Sequence, residues 1–211
     1  MSVDADSRSR ERYGRGRPML WKSVLAVIIS LILTTTGLAG AFGDANAAYE
    51  RGDYTTALKL LRPLGKQGDA DALNMLGFMY EHGQGVPSSL TDAVKYYRLA
   101  ADKGSTGAQI TLGFLYYGAL EESVPQDLEQ AAMWFRAAAD QGSRLAQGQL
   151  GRMYQKGEGV PQDYVLAYKW YNLAAVRWIA YARARDAIAA NMTPAQITEA
   201  QRLAREWRPK R

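Results

Sequence analysis

The sequence contains no cysteine and only one histidine among its 211 residues. A chain without thiols has no disulfides, no thiolate nucleophile, no iron–sulfur ligands and no cysteine-based zinc site. A single imidazole also excludes a multi-histidine metal centre and leaves His82 as the one candidate for histidine chemistry. The composition therefore predicts that the protein holds neither a cofactor nor a metal ion.

Positive charge is scarce in the middle of the chain. The net charge of +5 comes from 26 Lys and Arg against 21 Asp and Glu. Residues 1–41 and 176–211 are both basic, whereas residues 42–175 carry more acidic than basic side chains. The overall charge favours a polyanion or an anionic membrane as partner, but its distribution confines that interpretation to the two ends.

The sequence also lacks an apolar run long enough to cross a bilayer. Its strongest apolar stretch is Val24–Leu33, whereas a spanning helix needs about 20 predominantly apolar residues. A short run of this kind after a basic segment is typical of a secretory signal peptide. Cleavage motifs of the A-x-A type follow at Ala39–Ala41 and at Ala45–Ala47.

This pattern predicts that residues 1–41 are a basic N-terminal region and a signal peptide. We therefore expect the rest of the chain to be exported, to the periplasm of a bacterium. Met19 is a second candidate start, because Met19–Lys22 would itself form a compact basic region. The alternative is an uncleaved signal that anchors the protein in the inner membrane, with the remainder outside the cytoplasm.

One motif occurs three times, at spacings of 36 and 38 residues. LGFMYEHGQGVP at Leu76–Pro87 returns as LGFLYYGALEESVP at Leu112–Pro125 and as LGRMYQKGEGVP at Leu150–Pro161. The middle copy has two extra residues within 118–123. Because a helical repeat array accepts insertions in its loops, the motif predicts a stack of helical units.

Each copy contains two stretches with helical periodicity, here called helix A and helix B. In the first copy, helix A has Leu73, Leu76, Gly77 and Tyr80 at i, i+3, i+4 and i+7. The helix-B faces are Ala93, Tyr96, Tyr97, Ala100 and Ala101; Ala131, Trp134, Phe135, Ala138 and Ala139; and Ala167, Trp170, Tyr171, Ala174 and Ala175. A glycine inside a helix costs about 1 kcal/mol relative to alanine. Its recurrence in helix A therefore predicts that a helix-B aromatic ring needs the space.

Between the two helices, G-x-G sequences occur at 83–85 and at 157–159. Without a preceding strand they are weak evidence for phosphate binding, so we interpret them as left-handed helix ends before a proline. Asp127 and Asp163 are predicted to be N-caps of helix B. The first copy departs from this pattern, because Leu90 is assigned to the capping position that Asp127 and Asp163 have in the other copies.

The repeats are flanked by less regular segments. Residues 44–68 form a partial first unit, and residues 176–190 still have a helical pattern. Thr193, Pro194 and Gln196 have the residue types of an N-cap, N1 and N3. They predict a last helix that covers the open end of the array.

The consensus A-x-x-x-L-G-x-x-Y-x-x-G-x-G-V-x-x-D-x-x-x-A-x-x-W-Y-x-x-A-A-x-x-G runs through Ala72–Gly104, Ala108–Gly142 and Ala146–Ala175. It resembles the Sel1-like repeat family, which is related to the tetratricopeptide repeats. The resemblance implies an all-α fold, an α/α solenoid of Sel1-like helix–turn–helix repeats over residues 44–190. A basic C-terminal capping helix would occupy residues 191–211.

Exported bacterial members of this family are mostly adaptors or scaffolds. The resemblance therefore implies a non-enzymatic protein–protein interaction scaffold, which binds a protein or peptide partner in the concave groove of its repeats. It implies no specific nucleic acid, and it names neither the partner nor the oligomeric state. Contact with a membrane is expected only through an uncleaved N-terminal segment.

If the array stacks like its relatives, helix A lines the concave face and leaves a second stripe beside its core residues. Aromatic residues and arginine dominate binding energies, and an exposed apolar patch indicates an interaction site. The alternative is that these aromatics complete the packing between repeats. The predicted partner-binding residues, here called the groove stripe, are Asn74, Phe78, Glu81, His82, Ile110, Phe114, Tyr117, Arg152, Gln155 and Lys156.

An enzyme is the first rival interpretation. Some disulfide-rich Sel1-like proteins have been linked to β-lactam binding, so a cell-envelope hydrolase or a β-lactam-binding protein is an alternative. His82 lies in a helix-ending loop without a triad-like partner, and Glu121 and Glu122 are a carboxylate pair typical of a solvated loop tip. The sequence supplies no nucleophile, so we do not expect an enzyme.

Binding of a polyanion or a membrane surface through the basic C-terminal helix is the second rival. Cations at a helix C-terminus also interact favourably with the helix dipole, which needs no ligand. The residues concerned are Arg202, Arg205, Arg208, Lys210 and Arg211.

Overall fold

The computed structural model describes residues 40–118, 124–176 and 178–210. Within these ranges it contains ten helices and no β-strand. The helices are α1 (residues 40–50), α2 (Tyr54–Lys66), α3 (Ala70–His82), α4 (Leu90–Asp102), α5 (Thr106–Tyr117), α6 (Leu128–Asp140), α7 (Arg144–Lys156), α8 (Tyr164–Ala174), α9 (Ile179–Ala189) and α10 (Pro194–Glu206). The predicted all-α class is confirmed.

The helices pack as successive pairs. Helix α3 packs mainly on α4, α5 on α6 and α7 on α8, so the A and B helices of each repeat form its core. Each B helix also packs on the A helix of the next repeat, as α4 does on α5 and α6 on α7. This order of contacts is that of an α/α solenoid, as predicted.

Side-chain caps define where the helices begin. Asp127 and Asp163 each accept a hydrogen bond from the backbone N–H three residues ahead, which confirms them as N-caps of α6 and α8. In the first repeat Ser89 has this role, so the assignment of Leu90 to the capping place is wrong by one residue. Helix A begins in the same manner at Asp69, Ser105 and Ser143 in the three repeats.

The recurrent helix-A glycine faces an aromatic ring of helix B in every repeat. A β-carbon at Gly77 would lie 2.7 Å from Tyr97, and one at Gly113 would lie 2.6 Å from Phe135. The corresponding distance from Gly151 to Tyr171 is 2.9 Å. These distances are shorter than van der Waals contact, which confirms that the ring occupies the volume that a side chain would need.

The turn glycines have the predicted backbone conformation. Gly83 and Gly157 follow the last residue of α3 and α7 with φ of 67° and 73°. This left-handed conformation is strained for residues with a β-carbon, and it allows each glycine N–H to bond to a carbonyl of the helix it ends. The G-x-G sequences are therefore helix ends.

Two buried glutamines join consecutive repeats, which the sequence analysis missed. Gln109 and Gln147 are 5% and 2% exposed, at the position that Leu73 has in the first repeat. Gln109 donates to the carbonyl of Ala101 at the end of α4, and Gln147 donates to that of Ala139 at the end of α6. Each amide thus adds a second hydrogen bond to a helix-end carbonyl that already accepts one from the N–H of Gly104 or Gly142.

The N-terminal pair packs as an additional unit below the first repeat. Ala45 and Ala48 of α1 are fully buried against α2 and α3. On α2 the buried leucines are Leu58, Leu61 and Leu64, whereas Leu60 is only partly buried. Helix α1 includes residues 40 and 41, so the proposed limit of the signal peptide falls inside it.

No helix in the described part of the chain is long and apolar enough to cross a bilayer. The apolar stretch at residues 24–33 and the extra loop residues at 119–123 lie outside the described residues.

At the C-terminal end the predicted helix 176–190 is shorter than expected. Trp178 has an extended backbone and precedes α9, which separates α9 from α8. The predicted capping box of α10 is confirmed, with Thr193 and Gln196 bonded to each other's backbone N–H. Helix α10 packs on α8, and its buried Ala200 and Ala204 cover the end of the core.

The glycine–aromatic contact predicts the effect of a single methyl group. Gly113→Ala places a β-carbon against Phe135, so we expect it to destabilise the protein by about 1–3 kcal/mol. The loss should be visible in urea unfolding as a lower midpoint with an unchanged slope.

Gly43→Ala is the matched control, because Gly43 also lies in a helix but has no atom within 4 Å of its β-carbon position. It should be neutral or stabilise by up to about 1 kcal/mol through helix propensity. Equal effects of the two substitutions would show that the ring does not set the preference for glycine.

Candidate partner-binding groove

The structure places three residues of the groove stripe at one repeated position. Phe78, Phe114 and Arg152 each follow the helix-A glycine directly, on α3, α5 and α7. Phe78 is 39% exposed and Phe114 is 38% exposed, and both are among the large apolar side chains with most solvent exposure. The row of A helices therefore presents two phenylalanines followed by an arginine.

The N-terminal end of the stripe borders a cleft of about 530 Å³ between α1 and α3. Phe42, Asn46 and Tyr49 of α1 line it opposite Asn74 and Phe78 of α3. The ring of Tyr49 meets that of Phe78 edge-on, with 6.3 Å between centroids. The three residues of α1 were not predicted, although their helical spacing is the same as that of helix A elsewhere.

His82 lies flat on Phe78, with 4.0 Å between ring centroids. Its Nδ1 is 3.0 Å from the carbonyl oxygen of Phe78, one turn earlier in α3. No group of three or more residues that could hold a metal ion occurs among the described residues. His82 thus extends the apolar surface of Phe78.

The Glu81 side chain is hydrogen-bonded within its own repeat. Its carboxylate accepts a 2.6 Å hydrogen bond from the hydroxyl of Tyr97, the ring that packs on Gly77. Burial, followed by this bond to Glu81, raises the pKa of Tyr97 well above its usual value. Glu81 therefore fixes α4 on α3 and is available to a partner only at its partly exposed edge.

In the middle of the stripe, the Phe114 side chain is partly exposed and partly packed on the core. Its ring meets the fully buried Phe135 edge-on at 5.0 Å, and Ile110 beside it is partly buried. Phe114 therefore contributes to packing within its own repeat and still exposes 38% of its surface. Both phenylalanines contact neighbouring rings and expose just over a third of their surface.

Arg152 lies among aromatic rings at the C-terminal end of the stripe. Its guanidinium carbon is 4.6 Å from the centroid of the Tyr117 ring, on the preceding A helix. The Tyr117 hydroxyl donates to Glu158 at 2.7 Å, and Lys156 forms an ion pair with the same carboxylate at 3.3 Å. Gln155 accepts a 2.8 Å hydrogen bond from Tyr171. The four stripe residues are thus brought together.

The pKa shifts at the C-terminal end of the stripe reflect burial and the charges of Arg152 and Lys156. Burial raises the pKa of Tyr171 to about 12 and that of Tyr117 above its usual value, although the charge of Arg152 opposes both shifts. Burial alone would raise the pKa of Glu158, but hydrogen bonds from Tyr117 and Lys156 hold it below its usual value. The carboxylate therefore remains charged at neutral pH.

Within the described part of the chain, Arg152 interacts electrostatically with Glu158 but forms no direct ion pair. No carboxylate oxygen there lies within 4.0 Å of its guanidinium, and its Nε is enclosed without a hydrogen-bond acceptor. The arginine is partly exposed, lies over the Tyr117 ring and is within electrostatic range of Glu158.

Helix α9 places one more aromatic ring beside the last A helix. The ring of Tyr181 occupies the volume where a β-carbon of Gly148 would lie. Tyr181 stacks between Tyr171 and Trp178, at centroid distances of 6.2 and 5.9 Å. This contact was not predicted, although the sequence indicates it, because Gly148 stands where the other repeats have the larger Asn74 and Ile110.

Three of the predicted basic residues at the C-terminal end have partners within the described part of the chain, and Arg211 lies outside it. Arg202 is bonded to Glu199 and Glu206, and Lys210 forms a 2.6 Å ion pair with Asp140. Arg208 donates to the carbonyl oxygens of Arg205 and Trp207 at the end of the helix. Pairing and capping therefore account for most of the cluster, as the helix-dipole interpretation expects.

The Sel1 repeat family model matches this chain three times, at residues 70–105, 107–143 and 144–175. The matched segments coincide with the pairs α3–α4, α5–α6 and α7–α8. This chain is a Sel1-repeat protein. Solenoids of this family are in general protein–protein interaction scaffolds without enzymatic activity.

Curated relatives match only part of the chain. A sel1-like repeat-containing protein of Acanthamoeba polyphaga mimivirus is 39% identical over 64 residues, 28% of this chain and 12% of the relative. The mouse protein sel-1 homolog 2 is 39% identical over 79 residues, 37% of this chain and 10% of the relative. The chain thus spans about a tenth of the length of these relatives.

Two solved structures have a similar fold. A Sel1 repeat protein from Oxalobacter formigenes has a TM-score of 0.59 and 28% identity, over 64% of this chain and 54% of that one. A protective antigen of uropathogenic Escherichia coli strains, which displays an SLR fold, has a TM-score of 0.54 and 26% identity. The matched region covers 86% of this chain and 47% of the antigen.

The lowered pKa of Glu158 predicts a pH dependence. Its interactions stabilise the folded state above the unfolded pKa of about 4.3, and that stabilisation is lost as the pH falls through the lower folded pKa. Glu158→Gln lacks this contribution. Between about pH 6 and pH 3 its unfolding free energy should therefore fall less than that of the wild type, in urea titrations at each pH.

Tyr117→Phe removes the hydroxyl bonded to Glu158 and should reduce the acid sensitivity in the same direction. Superimposable pH profiles of the wild type and both variants would show that this bridge does not contribute.

Proposed function

We propose that this Sel1-repeat protein is an exported, non-enzymatic scaffold that captures a peptide or protein segment along its row of A helices. One observation carries the proposal. Phe78 and Phe114 lie at the same position of neighbouring repeats, and both expose more than a third of their surface. Exposed aromatic residues on a rigid array are costly to a monomer and are the side chains that contribute most to binding.

The rigidity of the supporting elements favours the same role. The stripe residues lie on helices whose positions are fixed by the glycine–aromatic contacts and by the two buried glutamines. A surface held in this way loses little conformational freedom on binding, so contact energy is retained as affinity. The arrangement supports recognition, and within the described residues it offers no activated nucleophile to support a hydrolase.

Export is the second part of the proposal, and it is supported by the apolar stretch 24–33 and the A-x-A motifs. The structure bears on which motif is used. Ala45 of α1 is fully buried against the neighbouring helices. Cleavage after Ala47 would therefore remove part of the packed first unit. Cleavage after Ala41 leaves Ala45 and Ala48 in place.

Site-specific photo-crosslinking tests the capture surface. We expect a photoreactive phenylalanine analogue at position 78 or 114 to yield the same discrete protein adduct in cells of the native host, because both positions would contact one ligand. Adducts are identified by mass spectrometry after purification under denaturing conditions.

Leu99 on α4 and Met133 on α6 are matched controls, since they are 51% and 46% exposed but lie on B helices. The same analogue at these positions should not yield that adduct. An adduct formed equally from the B helices, or none from positions 78 and 114, would contradict capture along the A helices.

The intact mass of the protein purified from its native host tests export. We expect the mass of a chain that begins at residue 42, with N-terminal sequencing as confirmation. A mass that includes Met1 would overturn the cleaved signal and the start at Met19 together, whereas a start at residue 48 would mean that α1 is not part of the mature fold.

A further inference from the structure

The cleft between α1 and α3 combines an apolar lining with acidic surroundings. Phe42, Tyr49 and Phe78 line its volume of about 530 Å³. The two helices that form it contain no lysine or arginine. Their carboxylates are Asp44, Glu50, Asp71 and Glu81, so an α-amino group at residue 42 would still leave them net negative. The ligand that complements this cleft is therefore apolar and carries cations beside its apolar side chains.

A segment of that chemistry lies at the other end of the array, in the turn from α8 to α9. Val176 is 75% exposed, Ile179 is 71% exposed and Trp178 is 46% exposed. These three residues are here called the apolar turn. The ten residues 176–185 contain three arginines and no carboxylate. Apolar side chains exposed to this extent indicate a surface that another molecule covers.

The positive charge beside the apolar turn is not cancelled by α9. Asp186 is the one acidic residue of that helix, and it forms a 2.7 Å ion pair with Arg185. Arg183 is exposed and has no ion pair within the described part of the chain. On the neighbouring groove stripe, Glu158 is paired with Lys156 at 3.3 Å. The segment therefore keeps a cation that can face a carboxylate of another molecule.

Stacking holds the apolar turn in one position. The Trp178 ring stacks on that of Tyr181 at 5.9 Å, and Tyr181 in turn fills the volume beside Gly148 of α7. A surface that is already ordered loses little conformational freedom on binding. The turn is thus suited to enter a cleft as a preformed unit.

The cleft and the apolar turn belong to opposite ends of one array. Helices α4 to α8 lie between them, and no residue of the turn lines the cleft. A turn that fills the cleft therefore comes from a second molecule. Because two different surfaces meet in such a contact, each added copy leaves one cleft and one turn free.

We infer that this chain associates head to tail with a second copy of itself, which inserts its apolar turn into the cleft between α1 and α3. The turn covers Phe42, Tyr49 and Phe78, and its flanking arginines face the carboxylates of the two helices. Association then continues to a closed ring or an open chain of molecules. This inference goes beyond the proposed function, since it requires neither export nor a peptide partner. Phe78 belongs to both surfaces, so a second copy competes with a captured segment at the N-terminal end of the groove stripe.

Sedimentation of the purified full chain, without any partner, tests self-association. The weight-average mass should rise above that of one chain between about 1 and 300 µM, where a small interface associates. Ile179→Glu should remain monomeric over this range, because it replaces an apolar contact by a carboxylate that faces the acidic cleft. Ile179 is exposed at the first residue of α9, where an acid suits the helix dipole, so the variant should fold.

Phe78→Lys blocks the other surface, because it places a cation in the cleft that receives the arginines. This variant should also be monomeric. Each variant retains the surface that the other lacks, so an equimolar mixture of Ile179→Glu and Phe78→Lys should form a 1:1 dimer and nothing larger. That dimer would also show that both variants are folded.

Ile179→Lys is the matched test of charge. It removes the same apolar contact as Ile179→Glu but adds a cation, so it should associate at least about tenfold more tightly than the glutamate variant. Met133→Glu on α6 is the control for a carboxylate at an exposed apolar position, since Met133 is 46% exposed. It should associate as the wild type does.

Several outcomes would overturn the inference. A wild type that stays monomeric, including one that binds phosphatidylglycerol vesicles through Ile179, would exclude a second copy as the occupant. Association that Ile179→Glu abolishes and Phe78→Lys does not, or a mixture without dimers, would exclude the contact between turn and cleft. Equal weakening by the Glu and Lys variants at Ile179, or by Met133→Glu, would exclude the charge match. None of these results affects partner capture, which crosslinking from position 114 tests outside the cleft.

Discussion

The contact between a helix-A glycine and a helix-B ring is the constraint on which the rest of the structure depends. It brings the two helices of each repeat so close that a methyl group would collide with Tyr97, Phe135 or Tyr171. Close packing of this kind fixes the rotation of helix A about its own axis. That rotation in turn decides which residues face the core and which form the groove stripe.

The direct neighbours of that glycine in the sequence show the consequence. Gly113 and Leu112 are buried, and Phe114 then lies at the edge of the core, half packed and half exposed. A residue at this position cannot be fully buried without rotating the helix off its partner ring. The aromatic surface is therefore held open by the same contact that stabilises the repeat.

Much of the fold is predictable from the sequence because it depends on periodicity and on local backbone chemistry. The helix faces, the left-handed glycines and the caps at Asp127 and Asp163 each follow from residues a few positions apart. What escaped prediction depends on contacts between side chains and neighbouring helices. Tyr181 meets Gly148 across the end of the array, and Gln109 reaches back to the carbonyl of Ala101. The cleft beside α1 was likewise missed, because its sequence matches the repeat too weakly to place Phe42 and Tyr49 opposite Phe78.

The glutamine hydrogen bonds also make the junctions between units chemically unequal. In a solenoid, stability is approximately the sum of each unit and its coupling to the next. Gln109 and Gln147 add a buried hydrogen bond at the second and third junctions, whereas Leu73 at the first junction supplies only apolar contact. At this position the N-terminal pair is joined to the array by shape and apolar burial, whereas the later junctions also have a directional bond. The alignment of neighbouring repeats is therefore specified by hydrogen-bond geometry at the second and third junctions and by shape complementarity at the first.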